Sequence, residues 1–478
     1  MSQINESAIK TPGVYINEIP SFPPSVAQVA TAIPAFIGYT EKAMDSDGTS
    51  LNMKAKRITS MVDYELYFGK APKEVNIEIN ISEVHINGGL ADVKVSAAIS
   101  GSPSSVYMMY YAMRMFFLNG GSACYIISVD TYTTGTGSVA QARLLSALDV
   151  LEKEDEPTLI VFPDGQNITS AAQYKTLVDS SLALCGKLQD RFAIIDVLSK
   201  TWNINTDQNE FRSNNVGNDN LSYGACYYPN LVTTLSYDFN DADVVLNISV
   251  EGGGAAILAS ATLDTMFTEN SAVYAKCKNA ITQLGVEIAP SSAMAGIMSR
   301  VDGTRGVWKA PANVSVLGVK SLTVTISDAD QETLNIDATS GKSINAIRAF
   351  IGKGKIVWGA RTLDGNSNEW RYVSVRRFFN MVEESCKKAS AQFVFEPNDA
   401  NTWIKIRAMI ENYLTILWRQ GALAGAKPEH AFFVKIGLGQ TMTAIDILEG
   451  RLIVEIGLAA VRPAEFIILR FMHKMQES

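Results

Sequence analysis

The chain has 478 residues, and its 41 lysines and arginines stand against 49 aspartates and glutamates, which gives a formal net charge of -8. At about 150 residues per domain this length predicts about three domains, and the negative charge excludes a general attraction to nucleic-acid phosphates or anionic lipids. Hydrophobic residues make up 47% of the chain, which suits either a well-filled large globule or a protein that buries extra surface against neighbours.

Cysteine use and the chain start narrow the class of protein further. Five cysteines stand singly without a CxxC pair, which indicates neither a zinc site nor a disulfide framework. The first ten residues, MSQINESAIK, lack the basic start and apolar core of a secretory signal. No uninterrupted apolar run approaches the roughly 20 residues that cross a bilayer. We therefore expect synthesis in a reducing compartment and no direct membrane insertion.

The first predicted element is a strand without a local partner, in the stretch TPGVYINEIPSFPP. Its strand-favouring side chains alternate between two faces and therefore need cover on both sides; they are Val14, Tyr15, Ile16 and Ile19. Prolines at positions 12, 20, 23 and 24 disfavour a hairpin and favour an extended path. We therefore predict that residues 1–20 form an extended arm, and that its strand pairs with a strand that is not adjacent to it in the sequence.

A folded body follows the arm. A short apolar strand is predicted at residues 35–39, and clean alternation around Asn87 predicts a β-hairpin over residues 75–99. Three later stretches each read as a helix followed by a strand: SSVYMMYYAMRMFFLNGGSACYIISV, ARLLSALDVLEKEDEPTLIVFPDG and AAQYKTLVDSSLALCGKLQDRFAIIDVL. This alternation predicts an α/β fold with a parallel sheet.

The character of the chain changes twice before its last third. Residues 201–254 are rich in Asn, Asp, Ser and Gly, which predicts surface loops and a hairpin. An α/β pattern then returns, and the strand-rich connector VSVLGVKSLTVTISDADQETLNIDA leads to a boundary near residue 345. The predicted organisation is an arm (1–20), an α/β body (21–345) with variable insertions near 70–100 and 200–255, and a C-terminal domain (346–478).

No pattern of catalytic or metal-binding residues stands out. The three histidines, His85, His430 and His473, are far apart and form no HExxH-like arrangement. The tripeptide at 341–343, Gly-Lys-Ser, fails as a phosphate loop because Ile336 occupies the position that needs glycine. The stretch KAMDSDGTS lacks the glutamate of a calcium loop and predicts a turn. We therefore predict no catalytic residue, cofactor or metal.

The last third predicts an amphipathic helix from Thr402 to Gln420. Its apolar face comprises Trp403, Ile406, Ile410, Tyr413, Leu414 and Leu417. The opposite face carries Lys405, Asn412, Thr415 and Arg419 and meets either water or a partner. Three strands are predicted after the helix, in AFFVKI, RLIVEIGLA and EFIILRFM, with too little chain to cover all their edges.

Several separated stretches carry a resemblance to a known family. They are TPGVYINEI, AFIGYT, FFLNGGSACYIISV, APSSAMAGIMSRVDGTRGVWKAPAN, INAIRAFIGKGKIVWGARTLDG and the long block from NEWRYVSVRRFF to EFIILR. In this order they resemble contractile tail sheath proteins, the sheaths of bacteriophage tails and related bacterial injection machines. The sequence departs from that pattern mainly in the two insertions.

The resemblance implies a multi-domain sheath fold: an α/β middle domain, β-rich insertions, and a C-terminal α/β domain completed by strands from neighbouring subunits. By position, residues 12–19 correspond to the donated N-terminal strand, and Glu465–Met472 to the donated C-terminal strand. The candidate contact residues of the latter are its four consecutive apolar side chains, Phe466, Ile467, Ile468 and Leu469. The resemblance also implies that the C-terminal domain faces an inner tube, which makes Lys405, Asn412 and Arg419 candidates for contact with that tube.

The implied protein is a structural subunit and not an enzyme. Its implied partners are copies of itself in stacked hexameric rings of a helical sheath, an inner tube protein, and baseplate and terminal cap proteins, with no nucleic acid. Assembly in the bacterial cytoplasm would precede incorporation into a phage tail or a phage-like injection particle. The alternative hypothesis is an α/β nucleotide- or phosphate-binding enzyme with an accessory β domain.

Overall fold

The structure, a computed structural model, describes residues 26–86, 89–132, 137–198 and 200–470. The predicted N-terminal strand with Val14, Tyr15, Ile16 and Ile19 lies outside the described residues. Among the described residues, no helix is both long and apolar enough to span a bilayer.

Strands and helices alternate along most of the described chain. The strands are β1 (Pro34–Thr40), β2 (Ala55–Ile58), β3 (Ile77–Ile86), β4 (Gly89–Ile99), β5 (Cys124–Thr131), β6 (Leu159–Val161), β7 (Phe192–Asp196), β8 (Gly224–Tyr228), β9 (Leu231–Thr233), β10 (Val245–Glu251), β11 (Glu287–Ile288), β12 (Val314–Ser315), β13 (Val319–Leu322), β14 (Ile344–Phe350), β15 (Gly354–Val357), β16 (Phe432–Lys435) and β17 (Glu455–Leu458). The helices are α1 (Met61–Phe68), α2 (Met109–Leu118), α3 (Gln141–Leu151), α4 (Ala171–Leu188), α5 (Ile204–Glu210), α6 (Leu263–Glu269), α7 (Ser271–Thr282), α8 (Ser291–Arg305), α9 (Asp328–Asn335), α10 (Val373–Ser390), α11 (Ala400–Arg419), α12 (Pro428–Ala431) and α13 (Ala444–Leu448).

A nine-stranded sheet forms the centre of the body, in the order β12-β15-β14-β8-β7-β6-β1-β5-β2. The six strands from β14 to β5 in this order run parallel to their neighbours. Antiparallel strands complete both edges, β2 on β5 and β15 on β14. The predicted α/β fold with a parallel sheet is therefore confirmed.

Alternate residues of the central strands enter two separate cores, one on each face of the sheet. Phe36 of β1 enters one core, and its neighbours Ala35 and Ile37 enter the other. Helices α2 and α8 supply buried side chains to the first core, and α3 and α4 supply them to the second. A Cβ at Gly296 of α8 would lie 2.4 Å from the carbonyl oxygen of Phe116, so α8 needs glycine there to pack against the backbone of α2.

The prediction of loops and a hairpin for residues 201–254 is wrong in part. All five residues of β8 are buried, and β8 pairs with β7 and β14 in the central sheet. A short helix, α5, also forms here, with Asn203 as its N-cap. Instead of forming a local hairpin, β10 pairs in parallel with β3. The predicted hairpin over 75–99 is confirmed as the antiparallel pair β3 and β4, so β10, β3 and β4 form a separate three-stranded sheet.

The described chain divides into two compact units. One, which we call the body from here on, comprises residues 30–383 with 462–470, and the other comprises residues 26–29 with 384–461, so the division falls within α10. The boundary predicted near residue 345 lies within β14, a strand of the nine-stranded sheet. The unit that contains residues 384–461 holds α11, α12 and α13 and one two-stranded antiparallel sheet, β16 with β17.

Of the three C-terminal strands that the sequence predicts, two form. AFFVKI contains β16 and RLIVEIGLA contains β17, whereas residues 465–470 of EFIILRFM have no regular secondary structure. An isolated strand is unstable because each of its backbone groups needs a partner on a neighbouring strand. The described part of this segment therefore lacks a ladder with any other described residue.

Candidate assembly surface

Helix α11 has the amphipathic character that the sequence predicts. Asp399 caps it, since its carboxylate accepts a hydrogen bond from the backbone N–H of Thr402 at 2.9 Å. The buried side chains of the helix are Thr402, Ile406, Met409, Ile410, Tyr413, Leu414 and Leu417. Trp403, predicted on the packed face, is half-buried, and its indole N–H donates to the side-chain oxygen of Asn398 at 2.7 Å.

The opposite face of α11 is exposed at Lys405, Asn412 and Arg419. These residues are spaced by seven and therefore follow one line along the helix. Sequence reasoning missed two apolar side chains on the exposed surface of this helix, Ile404 (66% exposed) and Ile416 (44% exposed). Isolated apolar residues are normal on a protein surface, so the two isoleucines alone indicate nothing. Together with the line of polar residues, they make this face a candidate for protein contact.

Within the described part of the chain, the sheet of β16 and β17 has two strands. Phe432 pairs with Leu458 and Lys435 with Glu455 at its two ends. The ring of Phe433 is half exposed and lies across the partner strand, where a Cβ at Gly457 would approach it to 2.2 Å. A two-stranded sheet is marginally stable in water, and further strands on its edges stabilise it. This sheet is therefore a candidate acceptor of strands.

The segment that follows carries a continuous apolar run on the surface. Its exposed fractions are 67% for Phe466, 79% for Ile467, 77% for Ile468 and 73% for Leu469. Four consecutive large apolar side chains in water are a marked departure from an ordinary surface, on which such residues are scattered singly. The run has the composition of a strand and no ladder partner among the residues that the structure describes, so it is a candidate donor of a strand.

The body also contains the place where α/β enzymes bind their ligands. In the sheet, β1 lies between β5 on one side and β6 on the other, so the strand order reverses at β1. Ligands of α/β enzymes bind at the carboxyl ends of the strands at such a reversal. Buried Asp164 follows β6, and its carboxylate accepts backbone N–H groups of Tyr39 (2.7 Å) and Met108 (2.6 Å). A Cβ at Gly38 would lie 2.4 Å from Asp164 Oδ2. A carboxylate of the chain itself thus occupies this crevice at the start of α2, where a ligand anion would bind.

Buried Asp196, at the end of β7, occupies the equivalent position at the next helix. Its Oδ1 accepts the backbone N–H of Ser291, the first residue of α8, at 3.0 Å. Burial raises the pKa of Asp196 to about 7, although hydrogen bonds from Ser291 oppose this increase. Burial likewise raises the pKa of Asp164 to about 7, against the hydrogen bonds from Met108 and Tyr39. These groups stabilise helix starts and leave no room for a phosphate at the same N–H groups.

The buried carboxylate of Asp196 predicts a pH-dependent effect of replacing it. Between the pKa of an unfolded aspartate, about 3.9, and the folded value of about 7, the folded state retains a proton that the unfolded state has released. The Asp196 contribution to stability therefore falls as pH rises through this window. We expect Asp196→Asn, which keeps an acceptor for Ser291, to gain stability relative to the parent as pH rises from about 4 to about 7 in urea unfolding. A stability difference that does not change with pH would show that folding does not raise the pKa of Asp196.

The lysine of the failed phosphate loop has a structural role. Lys342 is buried, and its ammonium donates to the backbone carbonyls of Arg212 (2.8 Å) and Val216 (3.0 Å). Within the described ranges, no cluster of three or more His, Cys, Asp or Glu side chains could hold a metal ion.

Comparison with protein families gives a match at the C-terminal end of the chain. Residues 366–473 match the model of the phage tail sheath C-terminal domain. A segment of 125 residues is 28% identical to the tail sheath protein of Vibrio phage KVP40, and it covers 26% of this chain and 18% of the phage protein. The aligned part therefore spans less than a fifth of that relative's length.

Solved structures match nearly the whole chain. The sheath complex of the extracellular contractile injection system PVC, in its contracted state, is 31% identical over 98% of both chains, with a TM-score of 0.64. A chain from the six-fold symmetrised baseplate of the anti-feeding prophage is 29% identical over 98% of this chain and 100% of its own length, with a TM-score of 0.63.

Proposed function

Since this chain belongs to the family of contractile tail sheath proteins, we propose that its subunits are joined by exchanged strands. In this proposal the exposed segment at Phe466–Leu469 adds to the β16–β17 sheet of another subunit, and residues 12–19 add to the same kind of sheet on a third. Addition of a strand to an open sheet edge satisfies the backbone groups of both partners. The product is a helical sheath in which every subunit is tied to several others.

One observation supports this proposal above all others: the exposed apolar run and the two-stranded sheet occur in the same chain. The run has large apolar side chains without cover, and the sheet has edges that could receive a further strand. Both features are unfavourable in an isolated subunit. Exchange between subunits removes both liabilities at once.

The energies involved fit a lattice better than a dimer. Burial of a large apolar side chain contributes roughly 1.5 to 3 kcal/mol, and each ladder hydrogen bond adds about 1 kcal/mol. Ordering of the segment costs about 1 to 2 kcal/mol per residue, so a single joint is weak. In a helical sheath each subunit has several such joints, and the sum of their small net free energies stabilises the assembly.

We further propose that the exposed face of α11 contacts an inner tube through Lys405, Asn412 and Arg419. Two cations and one amide at spacings of seven form a line that suits an acidic, polar partner surface. Ile404 and Ile416 provide apolar contact beside that line.

Reversal of both charges should weaken the proposed contact with the tube. We expect Lys405→Glu/Arg419→Glu to reduce assembly on the tube roughly tenfold at low salt, since two surface charges contribute about 1 kcal/mol each at most. The deficit should shrink as salt screens the charges. Sheath length on purified tubes, measured by electron microscopy across a salt series, provides the test.

A matched control is Lys54→Glu/Lys353→Glu, which changes the net charge equally at two exposed positions of the body. The control should assemble as the parent does. Equal assembly of all three proteins would mean that α11 does not hold the tube through these charges.

The contraction of such a sheath needs no nucleotide. We propose that its free energy comes from better contacts between subunits in the contracted state, and that the chain has no catalytic activity. The carboxylates of Asp164 and Asp196 at the ligand crevice favour this proposal over the α/β enzyme alternative, because they hold the helix N–H groups that a phosphate would need.

The remaining partners follow from the same proposal. Subunits would form stacked hexameric rings around an inner tube protein, with baseplate and cap proteins at the two ends. The subunits would assemble in the bacterial cytoplasm before the particle is released. Negative-stain microscopy of the purified chain, alone and with its tube protein, tests the proposal. Tubular polymers are the expected result, and a compact monomer that turns over phosphate substrates would support the enzyme alternative instead.

A further inference from the structure

The exposed C-terminal run begins directly after an anchored residue. Glu465 accepts hydrogen bonds from Arg361 through Nε (2.9 Å) and Nη2 (2.7 Å), from Asn335 Nδ2 (2.7 Å) and from the Tyr372 hydroxyl (3.1 Å). The Arg361 side chain is 3% exposed and that of Glu465 is 20% exposed. Hydrogen bonds from three residues in different parts of the body therefore converge on one carboxylate.

The charge state of this carboxylate suits an anchor. Burial on its own would raise the pKa of Glu465, but hydrogen bonds from Arg361 and Asn335 outweigh it and hold the pKa below its ordinary value. Glu465 is therefore ionised at neutral pH. The two parallel hydrogen bonds between the guanidinium and the carboxylate fix both the distance between the two groups and their relative orientation.

The surroundings change abruptly at the next residue. Phe466 is 67% exposed, and none of the hydrogen bonds described for the body reaches the apolar run that it begins. Glu465 is thus the last fixed point of the described C-terminal segment.

The start of the body has a similar arrangement. The hydroxyl of Thr31 donates to Asp302 Oδ2 at 2.6 Å, and Arg377 Nη2 donates to the carbonyl oxygen of Thr31 at 2.8 Å. Asp302 and Arg377 form an ion pair whose side chains are 6% and 3% exposed. The chain is therefore fixed by a buried ion pair where it enters the body and by a largely buried one where it leaves.

We propose that the Arg361–Glu465 pair is a root clamp, which fixes the point and direction at which the C-terminal segment leaves its subunit. This inference rests on the proposed strand exchange. A strand held by a neighbour can transmit tension only if its root does not peel away, and each residue that peels adds about 3.3 Å of slack. Glu465 and Arg361 are positioning residues in this role, and Thr31 marks the corresponding root at the other end.

Glu465→Gln tests the clamp, because it keeps the size of the side chain and removes its charge. The matched control is Glu332→Gln, which removes an exposed carboxylate from α9, the helix that also supplies Asn335. The mobility of a nitroxide label on Ala464→Cys, an exposed position directly before Glu465, is the first readout, since the five native cysteines are buried. We expect the mobile fraction of the label to increase about tenfold in Glu465→Gln, which corresponds to about 1.4 kcal/mol of local opening, with the thermal midpoint of unfolding unchanged. A general loss of stability would instead lower that midpoint.

Sheath geometry is the second readout. We expect Glu465→Gln subunits to form sheaths of irregular length or of impaired contraction, whereas Glu332→Gln sheaths match the parent in cryo-microscopy. Arg361→Lys keeps a cation and loses the paired hydrogen bonds, so it should show the same defects more weakly. If Glu465→Gln does not fold, the Arg361→Lys variant tests the clamp in its place.

The outcomes separate the clamp from strand exchange itself. If the clamp variants assemble and contract normally while a variant with charges at Phe466 and Ile468 does not assemble, strand exchange stands and the clamp is overturned. If that charged variant also assembles normally, the proposed role of the segment is overturned together with the clamp. Unchanged mobility of the label at position 464 in both clamp variants also overturns the clamp.

Discussion

Sheaths should not form from a chain in which Phe466 and Ile468 are both replaced by aspartate. The two side chains lie two positions apart and would share one face of a donated strand. A charge that is buried in an apolar slot without a partner costs several kcal/mol, and the cost recurs at every joint. In the free subunit both side chains are exposed, and exposed substitutions usually change stability by less than about 0.5 kcal/mol. The subunit should therefore stay folded and monomeric in analytical ultracentrifugation.

The control for this variant carries the same two charges on the body. Val62 is 76% exposed and Ile351 is fully exposed, so Val62→Asp/Ile351→Asp adds equal charge without touching the C-terminal segment. We expect this control to polymerise. If Phe466→Asp/Ile468→Asp subunits form sheaths of normal length, the segment is not a donated strand.

Deletion of residues 1–20 should have an effect of similar size. The deleted stretch contains the predicted strand with Val14, Tyr15, Ile16 and Ile19, whose burial at roughly 1.5 to 3 kcal/mol per side chain would be lost at each joint. The residues from β1 onward contain both cores of the central sheet. We therefore expect a soluble chain that unfolds cooperatively and does not polymerise.

A shorter deletion separates the predicted strand from the polar residues before it. Removal of residues 2–10 leaves TPGVYINEI intact and should leave polymerisation unchanged. Normal sheath lengths from the longer deletion would rule out the N-terminal strand as a joint. Microscopy of both deletions under the same conditions makes the comparison.

The parts of the fold that the sequence predicts well are those with a strong local period. Helix α4 has an amphipathic pattern over 18 residues, and β7 follows it as an apolar run. The first strand of the hairpin, β3, alternates between buried positions and positions that are half-buried or exposed. In such elements the side chains that face the core recur at the spacing of the helix or strand.

Elements without a local period escaped prediction. Strand β8, GACYY, is buried along its whole length, so it shows no alternation and resembles a break between polar loops. Helix α9, DADQETLN, has one buried side chain, and the capping box between Ser327 and Asp330 stabilises its start. Tertiary packing determines β8 and a capping box determines the start of α9, and neither cause appears as a periodic pattern in the sequence.

The features that carry the proposed function differ in the same way. The exposed face of α11 and the apolar run at 466–469 are visible in the sequence, because each depends on neighbouring or regularly spaced residues. The clamp joins Arg361 to a glutamate 104 positions away, and the carboxylate of Asp164 reaches a helix start 56 positions away. No local pattern connects such partners, so only the folded chain reveals them.

A cryo-microscopy reconstruction of the assembled sheath, resolved at the β16–β17 sheet, is the most direct test of strand exchange. We expect two further strands on this sheet, residues 12–19 of one neighbouring subunit and residues 465–472 of another, with each C-terminal segment leaving its own body at Glu465. A sheath in which β16 and β17 remain a two-stranded sheet, and in which subunits touch only through the faces of their bodies, would contradict it.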